Sequence, residues 1–162
     1  MDVFSKIREM QILLIDDDEW IRDSLCIFFE AESCHVLALE TAEEGLSAIK
    51  DQRFDLIIVD YKLPGLDGLE FLKRISDSQP GAIKILVTAY LNENVVSEAK
   101  KLKVHGFIEK PFTSDTIIAS LTHTVNMRDK ISHGGEGLNR IELKEEKTSD
   151  ENQEITRLIG ND

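Results

Sequence analysis

The sequence predicts an α/β fold with a doubly wound, five-stranded parallel sheet. Two observations support this: short apolar runs alternate with stretches of helical periodicity, and the runs are four or five residues long with few polar residues. Strands buried on both faces have this character, and a helix between consecutive strands implies parallel pairing. Five such strand–helix units fit within residues 1–130, which we assign to one domain.

The predicted elements follow one another in regular alternation. The strands are expected at residues 12–15, 35–39, 56–59, 83–87 and 106–108. Helices are expected at residues 19–32, 92–102 and about 113–128, with a second helix that holds Leu46 and Ile49 and a third that holds Leu69, Leu72 and Ile75. Thr41 is expected to cap the second helix, with Glu44 as its capping-box partner. Pro64 and Gly65 are expected to form a turn before the third helix.

Residues 131–162 have a different composition from the rest of the chain. A glycine-rich run at 134–137 is followed by acidic and polar residues with few aliphatic ones. We interpret this segment as an acidic linker or tail that is mostly disordered. One short helix is expected within it at residues 151–159, capped by Asp150 and ended by Gly160.

Composition and charge narrow the class of protein. The formal net charge of −12 argues against direct nucleic-acid binding by this chain, because that function needs a basic face. No apolar run approaches the roughly 20 residues that cross a bilayer, and the first ten residues lack the apolar stretch of a signal peptide. We therefore expect a cytoplasmic protein, in which Cys26 and Cys34 are core thiols.

Polar residues stand where the predicted strands end. Asp16, Asp17 and Asp18 follow the first strand, Asp60 ends the third, Thr88 the fourth, and Lys110 follows the fifth. The carboxyl ends of parallel strands share one edge of a sheet, so these side chains should gather there. Clustered carboxylates repel one another, so they need either a cation or shifted pKa values. Oxygen ligands favour a hard ion, which predicts a Mg²⁺ site, with Mn²⁺ as a substitute.

The same cluster suggests phosphoryl chemistry. A carboxylate can attack phosphorus to give an acyl phosphate, while an ammonium and a hydroxyl hold the other phosphate oxygens. Asp60 is the acid that helix capping explains least well, because it ends a strictly apolar strand. Helix capping is the simpler account of Asp17 or Asp18 taken singly, and we regard Asp18 as a helix cap or a bystander rather than a ligand.

Five segments resemble the receiver domain of two-component response regulators. They lie at residues 12–19 (ILLIDDDE), 55–60 (DLIIVD), 63–68 (LPGLDG), 87–89 (VTA) and 108–112 (IEKPF). The resemblance covers residues from about 10 to 130, and the five segments in this order are highly specific. It implies a flavodoxin-like (βα)5 fold with strand order 2-1-3-4-5 and a role in bacterial phosphorelay signalling.

The resemblance also implies the roles of the acidic residues. Asp60 is the expected phosphoacceptor. Asp17 is expected to bind Mg²⁺ directly and Asp16 chiefly through water. The backbone carbonyl of Lys62 is expected to complete the protein's share of the metal ligands.

Further roles concern the phosphate and the switch. Lys110 is expected to pair with the phosphoryl group and Thr88 to move towards it, while Phe107 turns inward as the switch aromatic. The peptide between Lys110 and Pro111 is expected to be cis. These changes would alter the face formed by the fourth helix, fifth strand and fifth helix of the (βα)5 unit, which is also the expected surface for a homodimer.

Two residues depart from the usual family pattern, and two others occupy positions that vary among family members. Phe107 replaces a frequent tyrosine. Lys103 replaces a usual glycine, which predicts a reshaped loop because a left-handed backbone costs lysine roughly 1 kcal/mol more. Lys62 and Tyr90 lie two residues beyond Asp60 and Thr88, where they could shield the phosphoryl group from water and prolong its lifetime. The alternative, that both are ordinary surface residues, stays open.

Partners and output are less defined by the sequence. The expected phosphodonor is a sensor histidine kinase or a histidine phosphotransfer protein, and the expected target is an effector domain or protein; no catalytic turnover of another substrate is expected. One alternative is that the chain is the receiver and linker of a transcription activator with an ATPase output domain. Residues 155–160 mildly resemble the entry to such an ATPase domain. Two other classes of protein are alternatives. A phosphatase of the haloacid dehalogenase type also uses an aspartate after an apolar strand, but it needs a second acid where this chain has Lys62. A flavodoxin-like electron carrier shares the topology, but it needs a hydroxyl-rich phosphate-binding loop where residues 16–19 are all acidic.

Overall fold

The computed structural model describes residues 2–133. The predicted tail from residue 134, including the helix expected at 151–159, lies outside the described residues. The strands are β1 Gln11–Ile15, β2 His35–Leu39, β3 Leu56–Asp60, β4 Ile83–Thr88 and β5 Gly106–Glu109. The helices are α1 Val3–Ile7, α2 Glu19–Ala31, α3 Ala42–Asp51, α4 Gly68–Ile75, α5 Glu93–Lys101 and α6 Ser114–His133.

The five strands form one parallel sheet in the order β2-β1-β3-β4-β5. The predicted fold class and strand order are therefore confirmed. Strand β3 lies at the centre and is buried along its whole length, as its unbroken apolar sequence requires. The helices cover both faces of the sheet, with one hydrophobic cluster on each side.

Within residues 2–133, helix α1 is the one element that the sequence pattern does not predict. It has only five residues, too few to show a helical period. Its apolar residues Val3, Phe4 and Ile7 are buried in the cluster that also contains residues of α2 and α6. Lys6 forms an ion pair with Asp129 of α6. Because of α1, the fourth and fifth helices of the (βα)5 unit are α5 and α6.

Helix caps fix the loops that surround the carboxyl edge of the sheet. The Asp18 carboxylate caps α2 by accepting from the backbone N–H of Trp20 and Ile21, which confirms its predicted role as a cap. Thr41 caps α3 as predicted: its hydroxyl oxygen accepts from the Glu44 N–H at 3.1 Å and donates to Glu44 Oε1 at 3.0 Å. Each cap satisfies an N–H group that the helix itself leaves unpaired.

The loop after α5 keeps a left-handed residue. Lys103 has a φ of 58°, and its N–H donates to the carbonyl of Lys100 at 3.0 Å. The Val104 N–H donates to the Ala99 carbonyl at 3.0 Å. The prediction that lysine reshapes this loop is therefore wrong, because these helix-ending bonds and the packing of Val104 hold the conformation that glycine would adopt.

Other features agree with the composition. Cys34 is buried and Cys26 is half-buried, and both are free thiols packed with the core. Of the helices within residues 2–133, none combines the length and apolar composition that crossing a bilayer requires.

Candidate functional site

The sheet brings the predicted site residues to one edge. Asp16 directly follows β1, Asp60 and Thr88 end the neighbouring strands β3 and β4, and Lys110 directly follows β5. Strands β1 and β3 pair in parallel register, as do β4 and β5. The carboxyl ends of four strands thus converge, as the parallel fold requires.

Three carboxylates form the centre of this edge. One oxygen from each of Asp16, Asp17 and Asp60 lies within 4.8 Å of the others. Asp16 and Asp60 are buried, whereas Asp17 is exposed. Two buried carboxylates and one exposed one therefore share a space that is open on one side.

Lys110 pairs with the two buried carboxylates. Its Nζ lies 3.1 Å from Asp16 Oδ2 and 3.1 Å from Asp60 Oδ2. The peptide bond between Lys110 and Pro111 is cis, as expected from the family resemblance. The Lys110 N–H also donates to the Thr88 carbonyl at 2.8 Å. The backbone of β5 therefore places the ammonium group directly over Asp60.

Burial and mutual repulsion change the ionisation of this cluster. Burial, and then the nearby Asp16 carboxylate, raise the pKa of Asp60 to about 6. Burial also raises the pKa of Asp16. Burial alone would lower the pKa of Lys110, but the carboxylates of Asp16 and Asp60 outweigh it and raise that pKa. One ammonium group thus does not fully compensate the clustered acids.

The donor atoms fit a hard divalent cation. Asp16 Oδ2 is buried and, within residues 2–133, accepts no hydrogen bond of normal geometry despite its approach to Lys110. The Lys110 ammonium is shared between Asp16 and Asp60, so it leaves part of the negative charge of the cluster uncompensated, and a divalent cation would balance the rest. The three carboxylates supply the oxygen ligands that Mg²⁺ prefers. Lys62 lies two residues beyond Asp60, and the proximity of its backbone N–H partly opposes the rise in the pKa of Asp60.

Thr88 and Phe107 lie on adjacent strands near the cluster. Thr88 is buried, and its Oγ1 accepts from the Tyr90 N–H at 3.0 Å. Phe107 is half-buried and packs against the same hydrophobic cluster as Leu86 and Val95. Its carbonyl accepts from the Ser120 hydroxyl of α6 at 3.1 Å. Phe107 thus links β5 both to the core and to α6.

Lys62 and Tyr90 meet above the strand ends. The Lys62 Nζ lies 5.2 Å from the centre of the Tyr90 ring, within the range of a cation–π interaction. Both side chains are exposed, Tyr90 at 64%. The two residues that the sequence singles out separately are therefore in contact, which the sequence does not predict.

Two residues beside the site, Gly68 and Arg22, are not singled out by the sequence patterns. A Cβ on Gly68 would lie 2.2 Å from the Asp60 carbonyl oxygen, so only glycine allows α4 to begin this close to Asp60. Arg22 Nη1 donates to the Asp16 carbonyl at 2.8 Å. The available signals were the glycine that opens a helix after Asp60 and the arginine four residues beyond a capping aspartate.

Comparison with known proteins agrees with this geometry. The family model described as "Response regulator receiver domain" matches residues 12–122. The chain is 31% identical over 118 residues to the transcriptional regulatory protein FixJ of Bradyrhizobium diazoefficiens, which covers 73% of this chain and 58% of that protein. It is 33% identical over 107 residues to sporulation initiation phosphotransferase F of Bacillus subtilis, covering 66% of this chain and 86% of that protein.

A solved structure shows the same fold. The crystal structure of a CheY-like receiver domain protein from Methanospirillum hungatei matches with a TM-score of 0.69 and 31% identity, covering 74% of this chain and 96% of that one. Several curated relatives are much longer than the matched region. The chain spans 58%, 33% and 29% of the length of three of them.

Proposed function

This chain belongs to the response regulator receiver domain family, and from that premise we propose that Asp60 accepts a phosphoryl group in a Mg²⁺-dependent signalling switch. One observation carries the proposal. The Asp60 carboxylate is buried at the end of the central strand, 3.1 Å from the Lys110 ammonium and within 4.8 Å of two further acids. A group placed in this way is suited to covalent phosphoryl chemistry rather than to capping a helix.

The acidic residues of the cluster form the proposed metal site. Asp16, Asp17, Asp60 and the Lys62 carbonyl would hold Mg²⁺ (or Mn²⁺ in its place). When bound, the ion neutralises the acids and the charge that develops on the transferred phosphoryl group.

The protein's own groups account for the transfer. An oxygen of the ionised Asp60 forms a bond to phosphorus while the bond to the donor's imidazole nitrogen breaks, and the nitrogen keeps that electron pair. Lys110 leaves its pairing with the carboxylates for a phosphoryl oxygen, because that oxygen carries more charge. The Thr88 hydroxyl donates to a second phosphoryl oxygen, which requires it to leave the Tyr90 N–H.

The movement of Thr88 provides a signal. Phe107 turns towards the space that Thr88 leaves. Because Phe107 packs in the core and its carbonyl accepts a hydrogen bond from Ser120 of α6, its movement changes the face formed by α5, β5 and α6. We propose this face as the contact for an effector and for a homodimer. The chain acts in the cytoplasm, and its phosphodonor is a sensor histidine kinase or a histidine phosphotransfer protein.

The output of the switch comes from an effector, which is either a separate protein or a further domain. The chain spans only part of the length of several relatives. The first alternative to a separate effector protein is therefore an effector domain, such as the ATPase domain of a transcription activator. In both cases residues 1–130 form the receiver, and residues 131–162 act as an acidic linker or tail. The receiver itself turns over only its own phosphoryl group.

A small phosphodonor tests the proposal. Incubation with acetyl phosphate and Mg²⁺ should add one phosphoryl group per chain by intact mass, and chelation or Asp60→Asn should abolish the addition. Repeated turnover of the donor without a stable adduct would favour a phosphatase instead. Absence of any adduct in the wild type, with Mg²⁺ binding intact, would contradict the phosphoacceptor role.

A further inference from the structure

The direction of Asp17 depends on the backbone that precedes it. Asp17 is the exposed member of the three-carboxylate cluster. Within the described part of the chain, no hydrogen bond or ion pair fixes its carboxylate. The orientation of the peptide unit between Asp16 and Asp17 therefore decides where this carboxylate can reach.

Asp16 is held at its backbone N–H, its carbonyl oxygen and one carboxylate oxygen. Its N–H donates to the Leu39 carbonyl at 3.1 Å, and its Oδ1 accepts from the Asp18 N–H at 2.9 Å. Its carbonyl oxygen accepts from Arg22 Nη1 at 2.8 Å. That carbonyl belongs to the peptide unit that joins Asp16 to Asp17. The hydrogen bond from Arg22 therefore fixes the orientation of this peptide plane, and with it the direction of the Asp17 side chain.

Helix α2 gives Arg22 a firm base for this contact. The Arg22 N–H donates to the Asp18 carbonyl at 2.9 Å, and Asp18 in turn caps the helix. The side chain is half-buried, which limits the positions open to its planar guanidinium group. Arg22 thus joins the first turn of α2 to the acidic loop.

We propose that Arg22 is a positioning residue for the metal site, where it aims Asp17 at the cation by holding the Asp16 carbonyl. This inference rests on the proposed Mg²⁺-dependent function. Residues that orient a ligand without touching the metal commonly change metal affinity by about 10- to 100-fold when they are replaced.

Charge and position predict opposite results when Arg22 is removed. Loss of a positive charge near three carboxylates would strengthen the attraction for a cation. Loss of the bond to the Asp16 carbonyl would free the peptide unit and weaken binding. The sign of the change in Mg²⁺ affinity therefore separates a positioning role from a purely electrostatic one.

The experiment measures Mg²⁺ dissociation constants by titration calorimetry on the full chain. Arg22→Met should raise the constant about tenfold. Arg22→Lys, which keeps the charge but not the planar donor group, should fall between Arg22→Met and the wild type. Arg53→Met is the matched control, because Arg53 is exposed in the loop before β3, at the other edge of the sheet. This control should not weaken binding.

A second readout separates positioning from general damage to the fold. At saturating Mg²⁺, labelling of Asp60 by acetyl phosphate should return towards the wild-type rate in Arg22→Met, because bound metal restores the position of Asp17. Mg²⁺ binding by Arg22→Met at or above wild-type strength would overturn the proposal, and so would labelling that stays low at saturation. A wild type that binds no Mg²⁺ would instead overturn the proposed function itself.

Discussion

The contact between Lys62 and Tyr90 should prolong the life of the phosphoryl group on Asp60. The perturbation is a double-mutant cycle. Lys62→Met removes the ammonium group, Tyr90→Leu removes the aromatic ring, and the double variant removes both partners of the contact. Lys62→Met keeps the backbone carbonyl that the metal site needs. Both side chains are exposed, so the cycle should leave the free energy of unfolding nearly unchanged.

The size of the effect follows from the geometry. A cation 5.2 Å from the ring centre at an exposed site contributes about 0.5–1 kcal/mol. If the contact closes the path of an attacking water, its loss lowers the barrier to hydrolysis by that amount. Each single variant should then lose its phosphoryl group about two- to fivefold faster, and the double variant should be little faster than either single one.

The assay follows intact mass after phosphorylation and rapid removal of the donor. Lys73→Met, which removes an exposed charge on α4, is the matched control and should keep the wild-type lifetime. Wild-type lifetimes in both single variants would refute the shielding idea. Fully additive effects would show that the two residues act separately and that their contact is irrelevant to hydrolysis.

Three further predictions concern other parts of the domain. Lys103→Gly should stabilise the domain to urea by about 0.5–1 kcal/mol, because glycine adopts the φ of 58° at Lys103 without steric cost; an unchanged or lower stability would contradict this. Burial, and then the charge of Lys84, depress the pKa of His105 below 6.5, so the unfolded chain takes up a proton first as the pH falls. Stability from this source is complete above pH 6.5 and lost below it, and the urea midpoint of the wild type should drop more on acidification than that of His105→Asn. Trp20 is 85% exposed in the first turn of α2 beside the acidic loop, so Trp20→Ala should slow transfer from a histidine-containing donor protein at least tenfold and leave labelling by acetyl phosphate unchanged.

Local sequence patterns were sufficient for the sheet and for the edge where the site lies. Strand β3 is predicted from its apolar run because a strand buried on both faces leaves no place for polar residues. The position of Asp60 at the end of that run, together with parallel strand order, then places the acid beside Asp16 and Lys110. The arrangement follows from topology, which the sequence defines well.

The remaining features depend on energies that local patterns do not contain. Helix α1 is too short to show a period, and the burial of Phe4 and Ile7 stabilises it. The left-handed residue Lys103 is disfavoured by only about 1 kcal/mol, which the surrounding bonds and packing exceed. The contacts of Lys62 with Tyr90 and of Arg22 with the Asp16 loop join side chains from different elements, so they become visible only when the loops are in place.

The position of the phosphoryl group decides whether Asp60, rather than another acid of the cluster, is the phosphoacceptor. After labelling with acetyl phosphate and Mg²⁺, reduction with borohydride converts an acyl phosphate on aspartate to homoserine, which peptide mass mapping can place. We expect homoserine at position 60, with Asp16, Asp17 and Asp18 unmodified. Homoserine at one of those three positions, or an unmodified Asp60 in protein that carries the phosphoryl group, would contradict it.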